Sequence, residues 1–154
     1  MRNYISILIT SIILLGCAYG GPTGSEVLTA SAKSNAARLV IYRSASMGLA
    51  VQPNYLVDGK PMAVSQPGGF VLCDLPPGHH EVAVDNMPIS NNFFGSGSEK
   101  VTVDIHAGTT TYLSASPQMG VFTPGQITLV MVTEGQARSD IASLHQSNNS
   151  CGRV

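Results

Sequence analysis

The chain has 154 residues, of which 44% are hydrophobic and 11% charged, with a formal net charge of −1. That balance excludes a basic nucleic-acid-binding surface and an acidic solvating tail. With 16 Gly, 9 Pro and no Trp, the composition excludes long helices and fits short strands joined by many turns.

The first segment in chain order reads as a targeting signal. Arg2 is basic, and Ile5 to Leu15 is apolar apart from Ser6, Thr10 and Ser11. That run is shorter than the roughly 20 apolar residues a spanning helix needs. Leu14-Leu15-Gly16-Cys17 follows and resembles the bacterial lipobox. The resemblance implies diacylglyceryl transfer to Cys17, cleavage before it and acylation of the new amino group. Ala18 in place of an Asp implies export to the outer membrane. The alternative is an ordinary secretory signal that happens to end in Cys. Residues 1–16 are thus expected to be a lipoprotein signal peptide. Residues 17–36, opened by Gly20-Gly21-Pro22-Thr23-Gly24, are expected to be the lipidated Cys and a flexible tether. Such a tether spans about 24 Å root-mean-square.

From residue 37 the pattern turns to period two between turn signals. Strands are expected over 38–44, 49–57, 60–64, 70–75, 79–85, 99–106, 109–116 and 126–133. Asp58-Gly59 is a hairpin signal, and Pro53 suggests an edge or a bulge. Strand 126–133 is apolar on both faces, so both should be covered. Residues 134–144 carry Ala137, Ile141 and Leu144 at helical spacing, which predicts a short amphipathic helix. Residues 146–154 read as a polar tail. The fold class is all-β: an antiparallel sandwich of seven to eight strands over 37–145 with a short C-terminal helix.

Several segments taken together resemble a family of small bacterial lipoproteins, the domain-of-unknown-function family numbered 2846. They are Ala37 to Arg43, Val57-Asp58-Gly59-Lys60, Asp74-Leu75-Pro76-Pro77-Gly78-His79-His80, Gly108 with Tyr112, and Ile127 to Glu134. The Asp-Gly-Lys hairpin and the Leu-Pro-Pro-Gly-x-His turn are also similar to surface-layer PEGA modules, which are small antiparallel β-sandwiches. The family implies an envelope location and a β-sandwich, and no established activity.

Three constellations could carry chemistry. Cys73 and Cys151 would lie in an oxidising compartment, and a bridge between them would contribute about 4 kcal/mol by the chain-entropy model. The alternative is a buried Cys73 and a Cys151 loose in the tail. If strands alternate in direction, Asp58, His79, His80 and His106 share one end, where they could bind zinc or copper. Adjacent histidines on a strand point to opposite faces, so His80 is expected to pack or bond to backbone and His79 and His106 to be exposed, and no metal or cofactor is assigned. The opposite end carries two loops: 86–98 with Met87, Ile89, Phe93 and Phe94, and 117–125 with Met119, Val121 and Phe122. Phe93, Phe94, Met119 and Phe122 either cap the core or form an interaction surface. Phe94-Gly95-Ser96-Gly97-Ser98 misses the nucleophile-elbow pattern, so no catalytic residue is assigned and an enzyme is not expected. The expectation is an outer-membrane lipoprotein held in the bilayer by acylated Cys17, contacting another envelope protein and no nucleic acid. The alternative is a glycan- or small-ligand-binding sandwich.

Overall fold

The computed structural model describes residues 21–29, 35–44, 51–85, 100–118, 126–148 and 151. They form α1 (Gly24–Val27), β1 (Ala37–Arg43), β2 (Asn54–Val57), β3 (Lys60–Val64), β4 (Gly69–Leu75), β5 (Gly78–Asp85), β6 (Lys100–Ile105), β7 (Thr110–Gln118), β8 (Gln126–Val132), α2 (Glu134–Ile141) and β9 (His145–Gln146). Two sheets pack face to face. One is five-stranded in the order β8-β7-β1-β4-β9, and the other is four-stranded in the order β3-β2-β5-β6.

Alternation along the strands builds the core between the sheets. Leu39 and Ile41 of β1, Val71 and Cys73 of β4, Val82 and Val84 of β5, Val103 and Ile105 of β6, and Ile127 and Leu129 of β8 all point inward. The other face of the five-stranded sheet makes a second, smaller core. Val40, Tyr42, Phe70 and Tyr112 pack there against Leu28, Ala137, Ile141 and Leu144. Thr133 starts α2, its Oγ1 accepting from Gln136 N at 3.4 Å. The expected helical spacing therefore holds for Ala137 and Ile141, through which the helix lies on the sheet; the helix ends at Ile141 rather than 144, and Leu144 packs from the turn that follows.

Four expectations need correcting. The sandwich is not wholly antiparallel: β1 pairs β7 in parallel, and β4 pairs β9 in parallel. Between β1 and β7 the chain crosses to the other sheet twice, returning first as β4, antiparallel on one side of β1, and then as β7, parallel on its other side. The second strand is shorter than its apolar pattern suggested, beginning at Asn54, because Pro53 cannot extend the ladder. The two faces of β8 are not both covered, since Val130 is 55% exposed. The eight-residue α2 is only about 12 Å long. It reaches back over the middle strands and leaves the outer side of edge strand β8 open.

The fourth correction concerns both ends of the chain. Residues 21–29 are not a tether. They lie along the C-terminal segment, with Gly24 N donating to Leu144 O at 3.0 Å, Ser25 N to Ala142 O at 3.3 Å and Gln146 N to Pro22 O at 2.9 Å. Arg138 Nη1 donates to Leu28 O at 2.7 Å, and Leu28 is buried. Gly24 meets Ile141 so closely that a Cβ there would collide with its backbone. The expected polar tail is tied in too. Ser147 is buried and its N donates to Phe70 O at 2.8 Å. Cys151 is bonded to Cys73 with Cα atoms 5.4 Å apart. Backbone bonds and close glycine contacts do this work. They leave no hydrophobic period, which is why the sequence looks featureless there.

Candidate functional site

The strand directions give the sandwich two distinct ends. The turns β2–β3, β4–β5 and β6–β7 gather at one, called here the Asp58 end. At the other, the Gly69 end, β1, β5 and β7 finish and β4, β6 and β8 begin.

At the Asp58 end the Asp-Gly turn places both residues in the left-handed region, Asp58 at φ 51° and Gly59 at φ 74°. Asp58 is fixed in this conformation by its neighbours. Its N donates to Glu81 O at 2.8 Å, and its Oδ1 accepts from Glu81 N at 3.0 Å. Its Oδ2 lies 2.7 Å from His80 Nδ1, and His80 Nε2 lies 2.9 Å from Pro76 O. Both ring nitrogens therefore face acceptors, and only the imidazolium donates at both. The His80 side chain is 11% exposed, in line with Val82 and Val84 on the core side of β5. Burial pulls its pKa down, but the bonds to Asp58 and Pro76 outweigh that and hold it above the ordinary 6.5. The same His80 bond, with help from Glu81 N, holds the Asp58 carboxyl below its ordinary 3.8.

This arrangement is a clamp between two turns, and its chemistry is limited. With both nitrogens engaged, His80 has no lone pair for a metal or a substrate proton. His79 points to the other face, 78% exposed and 3.7 Å from Asp104 Oδ1, and His106 is exposed. So Asp58, His79, His80 and His106 share an end, but only Asp58 and His80 meet. Among the described residues no three His, Cys, Asp or Glu side chains converge as metal ligands. On the outer face of the four-stranded sheet, Leu56 and Ala83 floor a hollow of about 110 Å³ bordered by Gly59, Glu81, Asp85 and Lys100. Lys100 Nζ donates to Glu81 Oε1 at 2.9 Å across it. That volume falls well short of the about 300 Å³ at which small-molecule pockets begin.

The Gly69 end is held differently. Arg43 is 0% exposed, at the end of β1. Its Nη1 donates to Val51 O at 2.6 Å and Ser65 O at 3.1 Å. Ser65 Oγ donates to Tyr55 Oη at 2.8 Å, and burial pushes the Tyr55 phenol up to about 12. Sequence reading missed this node: an Arg on a strand looks solvated, and the acceptors are carbonyl groups that no residue type announces. The chain also joins the fold at this end. His145 Nδ1 donates to Gly21 O at 3.1 Å, and β9 lies against Gly69 and Phe70.

Of the residues assigned from sequence, Cys73 and Cys151 are brought together, in the disulfide that closes the tail against β4. Cys17, Phe93, Phe94, Met119 and Phe122 lie outside the described residues. What the structure does fix is where their segments attach. Both connections, 86–99 and 119–125, leave the sheets and return to them at the Gly69 end.

Residues 33–126, more than half of the chain, match the family model described as a protein of unknown function, DUF2846. The chain belongs to the DUF2846 family. No curated protein and no solved structure matches it. The DUF2846 match takes in β1 to β7 and the first residue of β8, including the Asp58–His80 clamp and the Arg43 node. The docked segment 21–29, α2 and β9 lie outside it.

Proposed function

We propose that this DUF2846 protein is a bacterial envelope lipoprotein, anchored through acylated Cys17, that works by contact with another envelope protein and without catalysis. The observation that carries the reading is the placement of the two connections rich in apolar residues. Both spring from the Gly69 end, where Gly21 joins the fold four residues after Cys17. Loops held by a rigid sheet are where binding residues concentrate, and Phe and Met are typical interface anchors. The outer-membrane address rests on Ala18 after the Cys. The Asp58 end supports the non-catalytic side of the reading, because its histidine is spent on the clamp.

The test is a photoreactive residue at Phe93 or Phe94 in living cells, followed by mass spectrometry of the adducts. A discrete cross-linked protein is expected. A folded, acylated protein that yields no adduct from either position overturns the contact reading.

A further inference from the structure

We infer that the β9 side of the Gly69 end, where Gly21 joins the fold at the opposite edge of its sheet from β7 and β8, is a bilayer-facing surface, held against the phospholipid headgroups by the docked segment 21–29. The inference rests on the lipid-anchor reading of Cys17 and deepens it.

The argument is one of reach. Only Ala18, Tyr19 and Gly20 separate Cys17 from Gly21. Four Cα–Cα steps cannot span more than about 15 Å. Gly21 is fixed to the fold by the His145 bond, and Pro22 by its bond from Gln146 N. Segment 21–29 is then locked along its length. Glu26 caps it by accepting from Thr23 N at 2.7 Å, Gly24 sits on Ile141, Leu28 is buried and Arg138 holds the Leu28 carbonyl. The C-terminal half of this zipper is itself secured by β9 and the Cys73–Cys151 bond. Slack that a free chain from Cys17 to Ala37 would supply is therefore taken up. A free segment of 20 residues could extend to about 70 Å; the docked one leaves only the three-residue link.

The side chains around the point of attachment suit a headgroup layer. Pro22, Thr23, Ser25, Gln66, Gln146 and Asn148 are uncharged, and the charged Glu26, Asp85 and Lys100, also toward this end, are exposed and stay hydrated in a headgroup layer. The Asp58 end, one strand length away, carries Asp58, Lys60, His79, Asp104 and His106, and faces the aqueous side.

The experiment uses the full acylated protein in vesicles of phosphatidylethanolamine and phosphatidylglycerol containing a nitroxide-headgroup lipid. A genetically encoded fluorescent residue replaces Val64 at the Gly69 end or His106 at the Asp58 end; both are exposed and neither belongs to the docked segment. Several-fold stronger quenching at 64 than at 106 is expected. Equal quenching at the two positions overturns the inference. A second protein carries a 20-residue Gly-Ser insertion after Gly20, which leaves every folded residue in place, and its two positions are expected to quench alike. A preference for position 64 that persists in the insertion protein would show that reach is not the cause, and would overturn the argument. The mass of the N-terminal peptide is measured on the same samples. A Cys17 without acyl groups refutes the anchor itself, a failure distinct from equal quenching in an acylated protein.

Discussion

The two ends of the sandwich solve one problem with opposite chemistry. Each must hold together turns that come from different hairpins, and each does so with a cation donating to main-chain oxygen. At the Gly69 end the cation is Arg43, fully buried and charged at every accessible pH. At the Asp58 end it is His80, which donates at both ring nitrogens only while the ring is protonated. The difference teaches that one end is permanent and the other conditional on pH. It also fits their surroundings. The Arg43 node lies beside the point where the chain joins the fold, and the His80 clamp lies at the end reached last from Gly21.

The sharpest way to break this comparison is at Arg43. Replacing it with Met orphans the Val51 and Ser65 carbonyls, at about 1–3 kcal/mol for each buried group left unsatisfied. Arg43→Met is expected to lower stability to urea by about 3 kcal/mol by the same accounting, equally at pH 5.5 and pH 8.5. A loss that depends on pH would mean the node contains a titrating group.

Next in size is the cross-link that holds the tail against β4. Changing both Cys73 and Cys151 to Ala opens a loop with a sequence separation of 78. The expected loss is about 2–4 kcal/mol in denaturant unfolding, without loss of the strand signal in circular dichroism. Two free thiols in the denatured, unreduced wild-type protein would remove the bridge from the account.

The clamp should be weaker, and its signature is pH rather than size. His80 has a raised pKa in the fold, so its contribution is complete below the ordinary 6.5 and is lost as pH rises through the folded value. Asp58 has a lowered one, so its contribution is complete above the ordinary 3.8 and is lost as pH falls through the folded value. The clamp is therefore fully made between these two ordinary values. His80→Gln is expected to cost about 1 kcal/mol at pH 5.5, since half of Asp58 is in solvent, and much less at pH 8.5. Urea midpoints across that range measure it; a variant that parallels the wild type throughout would show that folding leaves the His80 pKa unshifted, and would overturn the clamp's pH dependence.

The smallest effect expected is at the Glu81–Lys100 pair, where both side chains are about half exposed. Lys100→Ala should change stability by no more than about 0.5 kcal/mol and should lose even that in high salt. It serves as the control for the clamp. A larger loss would mark the hollow above Leu56 and Ala83 as more than a solvated face.

Much of the fold was legible because its signals are local. Alternation in Val101, Val103 and Ile105 locates β6, Asp58-Gly59 demands a tight hairpin, and Ala137 and Ile141, with Leu144 just beyond, mark the buried stripe of α2. The alternating turns also put His79, His80 and His106 at one end before any coordinates. What could not be read was which atoms they meet. His80 and His79 differ only in strand parity and in what lies opposite, an Asp58 carboxylate and a Pro76 carbonyl in one case and a solvated Asp104 at 3.7 Å in the other.

By itself the sequence determined the positions of β1, β3 to β8 and the start of α2, the β-sandwich class and the family resemblance, because these follow from periodicity, turn chemistry and residues near each other in the chain. Tertiary structure alone decided the rest. The parallel pairing of β1 with β7 depends on which edge the returning chain meets. The burial of Arg43 depends on two carbonyl oxygens from segments 8 and 22 residues away. The docking of 21–29 depends on backbone bonds to residues more than a hundred positions later. Main-chain donors and acceptors are the same in every residue, so no composition or spacing can say which of them will pair.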